Sequence, residues 1–462
     1  MQPETEPTAR RRRRARVTAV RLSPGGYFAA ASLLTFVSLV CLRTHRDLIA
    51  LILIASTWTI TPLLVLTDRL VFNGTTLWRT GLLAWACRLI GRPLMSFEVS
   101  DIQRLEVNSM RTLRRGGNVR YRYRIELTAN GSTVAFASGS QFLRMVQALL
   151  PRVPEQKLDA RACELRDHLN DPKAVRAEAA RLQIAPPAVL ENSTAAAEKQ
   201  IEKHRRDQLA AASVPDLERA ALLRRAANDL RIAGRLRQSA EAFRRALLIT
   251  PKDGRLIYEY ARLLKSQAST FGEARLLGRA CAALRLASMR SPTDARLLER
   301  IGESFLEYCD PQRAAGIFRR AVDLDEKAYR AQLGLAEVAL ADGKLAHVIY
   351  HYNEAARVAM DKATSNLAAR ESDYYSRLND DDEYLAAELR RMNWLEGAGR
   401  IQRLTARISF AALLIALVGS SVDQVVAGIG WALASSSIIG WSGALVIRKF
   451  LAGRSRVETS DA

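Results

Sequence analysis

Cysteine is scarce in this chain. Its five residues in 462 (Cys41, Cys87, Cys163, Cys281 and Cys309) are scattered, odd in number and nowhere spaced as C-x-x-C. That pattern excludes a disulfide framework and a zinc site read from local spacing, and it fits a reducing compartment. Histidine is as sparse, at five. Only His347 and His351 stand at an i, i+4 spacing that could share a metal on one helix face, and with no third ligand nearby in sequence they read as surface residues. The signatures of catalysis are missing too: there is no GxxxxGKS/T phosphate loop, no HExxH, no GxSxG and no kinase set. Neither a catalyst nor a cofactor is expected. Acidic residues are in deficit, 48 Asp and Glu against 69 Lys and Arg, which leaves a net charge of +21. Such a balance favours acidic partners: nucleic acid, anionic lipid or acidic peptide.

What the chain does have is long apolar runs at both ends. Leu22 to Leu42 and Leu48 to Leu66 are uncharged over 21 and 19 residues, with the polar turn Arg43–Asp47 between them. Each can cross a hydrocarbon core of ~30 Å, and a second span so close behind the first argues for a retained hairpin over 22–66 rather than a cleaved signal. Near the other end, Ile408 to Val422 and Gln424 to Ile447 are separated by Asp423 alone. The first is short, but Leu404 and a snorkelling Arg407 extend it to a second hairpin over 404–447; the alternative is a buried core hairpin of a soluble domain. Arg400, Arg403 and Arg407 precede this hairpin, and Arg448, Lys449, Arg454 and Arg456 follow it. The positive-inside bias then places both termini and the whole middle in the cytoplasm, for about four spans of a bacterial inner membrane. Residues 1–21, with Arg10 to Arg14, Arg16 and Arg21, carry no apolar period and read as a disordered basic arm; 448–462 reads as a basic tail.

Between the first hairpin and the middle, the period changes to two. Asp68–Leu77, Leu94–Val99, Ile102–Asn108, Val119–Ala129 and Thr133–Ser138 are rich in Val, Ile, Phe and Tyr and predict strands, with Asn130-Gly131 as a hairpin turn and a helix over Gln141–Leu150. On the Val119–Ala129 strand, alternation puts Arg120, Arg122 and Arg124 on one face, joined at the nearby turn by Arg111, Arg114 and Arg115. Beneath a bilayer that face would meet anionic headgroups. A nucleic-acid face would carry the same charges, but the alternating tyrosines point to the opposite side, which disfavours a stacking platform. An apolar hairpin, Thr67-Asp68-Arg69, a strand meander and a closing helix resemble, in their order, the bacterial membrane-associated PH-like domains; the likeness covers residues 67–155.

A helical repeat follows. Phe243, Phe318 and Tyr352 each precede an alanine by three residues (Ala246, Ala321, Ala355), and Phe318 and Tyr352 lie 34 apart. Sixteen positions before each aromatic stands a small residue, Ala227, Gly302 or Ala336, where two helices would cross. Phe243 and Phe318 are 75 apart, one unit of 34 and one of 41, and Leu284 to Ala287 with Pro292 supplies the intervening repeat. Together with Gly234 or Gly343 at the inter-helix turn, Ala314, and Pro251 or Pro292 at the exit, these positions resemble the tetratricopeptide family over four repeats, 213–362. Ser239 and Val348 replace its alanine, Glu326 replaces one proline, and the second repeat is lengthened near Ser266–Gly272. Residues 156–212 are then a helical linker and cap, and 363–403 a terminal helical segment. The acidic run Asn379–Glu383 sits where a helix begins, which suits its dipole; calcium binding would lack the glycine and distal glutamate of an EF-hand loop.

The resemblances together imply a mainly α chain: a tetratricopeptide-type helical solenoid, transmembrane helical hairpins at both ends and a small β-rich PH-like domain. In peptide-binding members of the repeat family, first helices grip a partner's terminal carboxylate with basic residues and asparagines. The corresponding positions here are Arg224 and Asn228, then Arg296 and Arg300, with Tyr258, Arg262 and Lys265 on the same wall, while Glu259 stands where an asparagine is wanted and would repel a carboxylate. Arginine is abundant, so a merely solvated face is the alternative. Functionally, the expectation is a non-catalytic inner-membrane scaffold presenting a peptide-binding groove. Two alternatives remain open: an accessory subunit of a polysaccharide-export, secretion or cell-envelope assembly complex, and an undetected membrane enzyme or transporter, which ionisable groups inside the spans would favour.

Overall fold

A computed structural model of the chain describes residues 17–22, 24–90, 96–113, 118–129, 132–139, 141–185 and 214–451. Arg10 to Arg14 and Arg16, Arg114 and Arg115, the Asn130-Gly131 turn, Pro186-Pro187, and Arg454 and Arg456 lie outside them. The chain is mainly helical and divides into two compact units, one from Met1–Ser23 with Thr67–Asp373 and one from Pro24–Leu66 with Tyr374–Ala462.

The first unit begins with a strand that sequence reasoning missed. β1 (Thr18–Arg21) lies in the stretch read as a disordered arm, yet it pairs antiparallel with β2 (Arg69–Phe72), Val20 opposite Leu70. Its alternation is too short to register beside the arginines. β2 continues through β3 (Thr76–Thr80) to β4 (Ser96–Glu98) in a four-stranded sheet. The single strand expected over Asp68–Leu77 is a hairpin instead: Asn73 Oδ1 accepts from the backbone N–H groups of Thr75 and Thr76 at 3.1 and 2.9 Å, and Gly74 takes a φ of 111°. α3 (Leu82–Leu89), also unforeseen, separates β3 from β4. β5 (Ile102–Leu113), β6 (Val119–Ala129) and β7 (Ser132–Ala137) form a three-stranded sheet, tied to the first by a bridge between Leu22 and Phe136. α4 (Phe142–Leu149) buries Phe142, Met145, Val146 and Leu149, an i, i+3, i+4, i+7 stripe, against Phe72, Ile125 and Phe136 in one core.

Two short helices, α5 (Ala160–His168) and α6 (Pro172–Arg181), lead on, and α6 starts at the expected Asp171-Pro172 with the aspartate accepting from Lys173 N. Four helix pairs follow: α7 (Val214–Ile232) with α8 (Leu236–Ile249), α9 (Gly254–Phe271) with α10 (Ala274–Arg290), α11 (Ala295–Glu307) with α12 (Pro311–Leu324), and α13 (Tyr329–Ala341) with α14 (Leu345–Val358). First helices touch in series, α7 with α9, α9 with α11, α11 with α13, and so share a wall. The seven extra residues of the second pair do not loop out; they lengthen its helices to 18 and 17 residues, against 13 and 14 in the third. All four inter-helix turns carry a left-handed residue, Gly234, Gly272, Cys309 and Gly343, at φ of 62–78°. Gly302 sits where the period placed a small residue: a Cβ there would come within 2.5 Å of the Phe318 ring. Gly334 of the following pair meets the same ring at 2.3 Å, so Phe318 is wedged between two glycines.

The second unit holds α1 (Gly25–Arg43), α2 (Asp47–Thr67, its last residue in the first unit), α16 (Asp382–Val422) and α17 (Gln424–Leu451). α15 (Lys362–Asp380) runs across the division. Three helices are long and apolar enough to cross a membrane, Asp47–Thr67, Asp382–Ser421 and Gln424–Arg448, while Gly26–Leu42 is shorter. No helix boundary falls at residue 404. α16 runs unbroken for 41 residues through Gly397 and Gly399, about 60 Å, so only half of it fits a hydrocarbon core. Asp381 caps it, accepting from Glu383 N and Tyr384 N at 2.9 and 3.0 Å, in the acidic run that was expected to begin a helix. α16 and α17 approach closely through small residues: Ser409 and Ser437 hydrogen-bond at 2.8 Å, and Cβ atoms on Gly419 and Gly430 would meet Ala427 and Ala416 backbone at 2.7 and 2.5 Å.

Candidate functional site

The wall of first helices carries the residues singled out for a carboxylate grip. It is not an empty groove. The segment from Glu155 to Asn170, which contains α5, lies along it and bonds to every pair. At the first pair, Asp229 takes Asn170 Nδ2 at 2.9 Å and faces His168 Nδ1 at 3.3 Å. Between the first and second, Glu164 accepts from Arg231 at 3.1 Å and Arg262 at 2.7 Å. At the third, Arg300 donates to Glu155 at 2.6 Å, and Arg161 reaches Glu307 at 3.1 Å. At the fourth, Arg330 binds Glu303 at 2.6 Å and lies 3.3 Å from Cys163 Sγ. Just beyond, buried Lys157 pairs with Asp361 at 3.0 Å and donates to Ser100 O at 2.8 Å.

α5 is held in this position at its N-terminal end. Asp159 Oδ1 caps it by accepting from Ala162 N at 2.6 Å while its other oxygen takes Val107 N of β5 at 3.1 Å. The β-rich region is further pinned to the first pair at Gly234: Val119 N donates to Gly234 O at 2.8 Å, and a Cβ on Gly234 would stand 1.8 Å from Val119 O. Tyr123 adds a hydrogen bond from its hydroxyl to Ile232 O at 3.0 Å.

The electrostatics follow from this packing. Burial alone would raise the Glu164 pKa, but the two guanidiniums of Arg231 and Arg262 overcome it and hold the carboxyl far below the usual range. Glu155 is likewise lowered, against burial, by Arg300 and its neighbours. Where no cation sits close enough, burial wins: Glu299 is pushed up to about 7 despite Arg330, and Asp159 to about 6 despite its two backbone donors.

The residues singled out on this wall therefore divide. Asn228, Tyr258 and Arg262 are buried and cannot meet a partner. Asn228 donates to Glu259 at 2.7 Å, and Arg224 and Arg255 lie 3.6 and 3.5 Å from the same carboxylate. Glu259, expected to repel an incoming carboxylate, is itself the carboxylate that this corner binds. Arg262 is occupied by Glu164 and Glu307, and Arg300 by Glu155. Arginine abundance in the sequence gave no sign of which acid answers which base, because Glu155 and Glu164 lie 145 and 98 positions from Arg300 and Arg262.

What stays open is a cleft of about 520 Å³ above this floor. Arg224, Arg296 and Arg300 all line it, and Arg225, Arg255 and Arg166 join them against Glu155, Asp167, Glu259 and Asp294. Arg225 and Arg296 are exposed and form no ion pair among the described residues. Lys265 lies apart, its ammonium 4.8 Å from the Tyr308 ring centre. Arg120, Arg122 and Arg124 are exposed on one face of β6, with Arg124 paired to Glu126 at 2.9 Å. His351 faces Gln332 at 2.9 Å, and among the described residues no three His, Cys, Asp or Glu side chains are grouped as a metal would require.

No protein-family model matches this chain, and no curated protein matches it. Among solved structures, the crystal structure of MamA protein is similar to 36% of this chain over 96% of its own length, at 14% identity and a TM-score of 0.26.

Proposed function

We propose that this chain is a non-catalytic scaffold of the bacterial inner membrane, with both termini in the cytoplasm. Its four helix pairs act as a tetratricopeptide-type solenoid and its β-rich region as a PH-like module, fastened together by the Glu155–Asn170 segment. Three helices of spanning length and the flanking arginines support the anchoring. A reporter active only outside the cytoplasm should be silent when fused after Thr250 and active when fused at Asp423. Activity at Thr250 would overturn the orientation.

The observation that carries the binding role is the cleft with Arg225 and Arg296 unpaired at its mouth. The other arginines that line this cleft, Arg166, Arg224, Arg255 and Arg300, are answered by the chain's own acids, which leaves these two for an acidic partner. Arg300→Ala is a poor probe, since it also frees Glu155. A fluorescent tetraglutamate peptide should bind the full chain in detergent, and the Arg225→Glu/Arg296→Glu variant should bind it at least tenfold more weakly, as expected when charge-assisted hydrogen bonds of about 1.5–3 kcal/mol are lost. Added salt should weaken the wild type in parallel. Equal anisotropy titrations for the two proteins would remove the cleft from consideration.

A further inference from the structure

α3 leaves its apolar side uncovered. Leu82, Trp85 and Leu89 fall on one stripe at i, i+3 and i+7, continued by Ile90; Trp85, Leu89 and Ile90 are 61, 69 and 75% exposed. Ala84 on the other side is buried at 4%. So large an apolar stripe on so short a helix contributes nothing to the core and needs a cover.

Its location says which. Leu82 N donates to Thr67 Oγ1 at 3.4 Å, and Thr67 is the last residue of α2, the first of the three span-length helices. Gly81 makes the approach possible, because its φ of 134° and a Cβ 2.7 Å from Thr67 O exclude other residues. Eight residues of helix extend about 12 Å, and Trp85 stands only about 4.5 Å of rise beyond Leu82. The polar zone on each side of a bilayer is roughly 5–8 Å deep. Leu82 and Trp85 therefore cannot be far from the headgroup level at which the chain leaves α2. The charges agree. Arg88 is exposed on α3, and Arg21 and Arg69, cross-strand partners at the strand ends flanking the α1–α2 segment, are exposed too. Asp68, the acid at this end, is already taken by Arg79 at 2.7 Å.

We propose that α3 is an interfacial helix that seats Leu82, Trp85, Leu89 and Ile90 at the headgroup–acyl boundary of an anionic bilayer, with Arg88, Arg21 and Arg69 on its phosphates. A tryptophan among aliphatic residues and arginines is the composition such helices use. The inference rests on reading α2 as a span.

The test uses the full chain in its native membrane, with the photoreactive amino acid p-benzoylphenylalanine placed at one exposed position at a time: Trp85, Ile60 on α2 and Met289 on α10, which are 61, 52 and 66% exposed. After irradiation, mass spectrometry should find phospholipid adducts at positions 85 and 60 in comparable yield and none at 289. Lipid at 60 but none at 85 overturns the role of α3 while leaving the span intact. Protein adducts in place of lipid at 85 overturn it equally, by naming a different cover. Absence of lipid at 60 overturns the span and this inference together.

Discussion

Glu164→Ala is expected to destabilise the first unit by about 3–5 kcal/mol, the cost of leaving a buried charge without its partner. The carboxylate sits 17% exposed between Arg231 and Arg262, which are 6 and 5% exposed. Removing it leaves two guanidiniums facing one another where water cannot screen them, with Glu307 alone to serve Arg262. It also cuts the segment that spans all four helix pairs. Thermal unfolding of the full chain in detergent, followed by near-ultraviolet circular dichroism, should show an earlier transition, whereas Arg296→Ala in the open cleft should leave it within about 0.5 kcal/mol of wild type. Similar melting of the Glu164 variant and wild type would mean that α5 rests on the wall without holding it.

The pH dependence separates this carboxylate from two others. The folded pKa of Glu164 lies below its unfolded value of about 4.3, so its stabilisation is complete above that value and fades as pH falls through the folded one. Asp159 and Glu299 work the other way: with folded values of about 6 and about 7, they bind protons more tightly in the folded chain. Their contribution grows as pH falls from above 7 towards the unfolded carboxylate range, and is fully present below it. The gap between Glu164→Ala and wild type should thus hold steady from pH 7 to 5 and close only in acid. In Glu299→Gln, the stability gained by wild type between pH 7 and 5 should be reduced.

Phe318→Ala is expected to cost about 3–5 kcal/mol, at the upper end for an aromatic because the hole cannot close. The ring is fully buried, and the residues it presses on, Gly302 and Gly334, have no side chains to swing in. Filling from the other side fails as well: Gly334→Val would place its Cβ about where the ring now lies, 2.3 Å from it. In a stack where each pair is stabilised by its neighbours, the loss should fall between the third and fourth pairs and split one denaturant transition into two. A single sharp transition with an unchanged midpoint would show that the wedge is not a stability element.

The helix pairs were legible because Phe243, Phe318 and Tyr352 each stand sixteen residues after a small partner, and a packing rule written three times survives imperfect copies. The turn at Cys309 was not, since it adopts the left-handed conformation of Gly234 and Gly343 without the residue that announces it. α3 was missed for the opposite reason: its residues are apolar on the outside, so the stripe that would have marked a core helix marks none. The filling of the groove was illegible in principle. A period reports which side chains share a helix face, whereas Glu155, Glu164 and Lys157 meet their partners through contacts made only once. Of the grip, Arg224, Arg296 and Arg300 line one cleft, over a floor whose bonds no repeat could announce.

β1 precedes α1, and its partner β2 follows α2, so the α1–α2 segment enters and leaves through a single pair of hydrogen-bonded strands, Arg21 opposite Arg69 and Leu22 N donating to Asp68 O. During synthesis the sheet cannot begin until both helices have been made and both strands lie in the same compartment. With α1 and α2 inserted as a hairpin, that condition is met as soon as β2 emerges. With only one of them across, β1 and β2 are stranded on opposite sides of the bilayer, the edge of β2 stays unpaired, and Leu70 and Phe72 remain in water for proteases to find. If α1 and α2 form the membrane hairpin proposed above, closure of this small sheet requires that both of them have crossed.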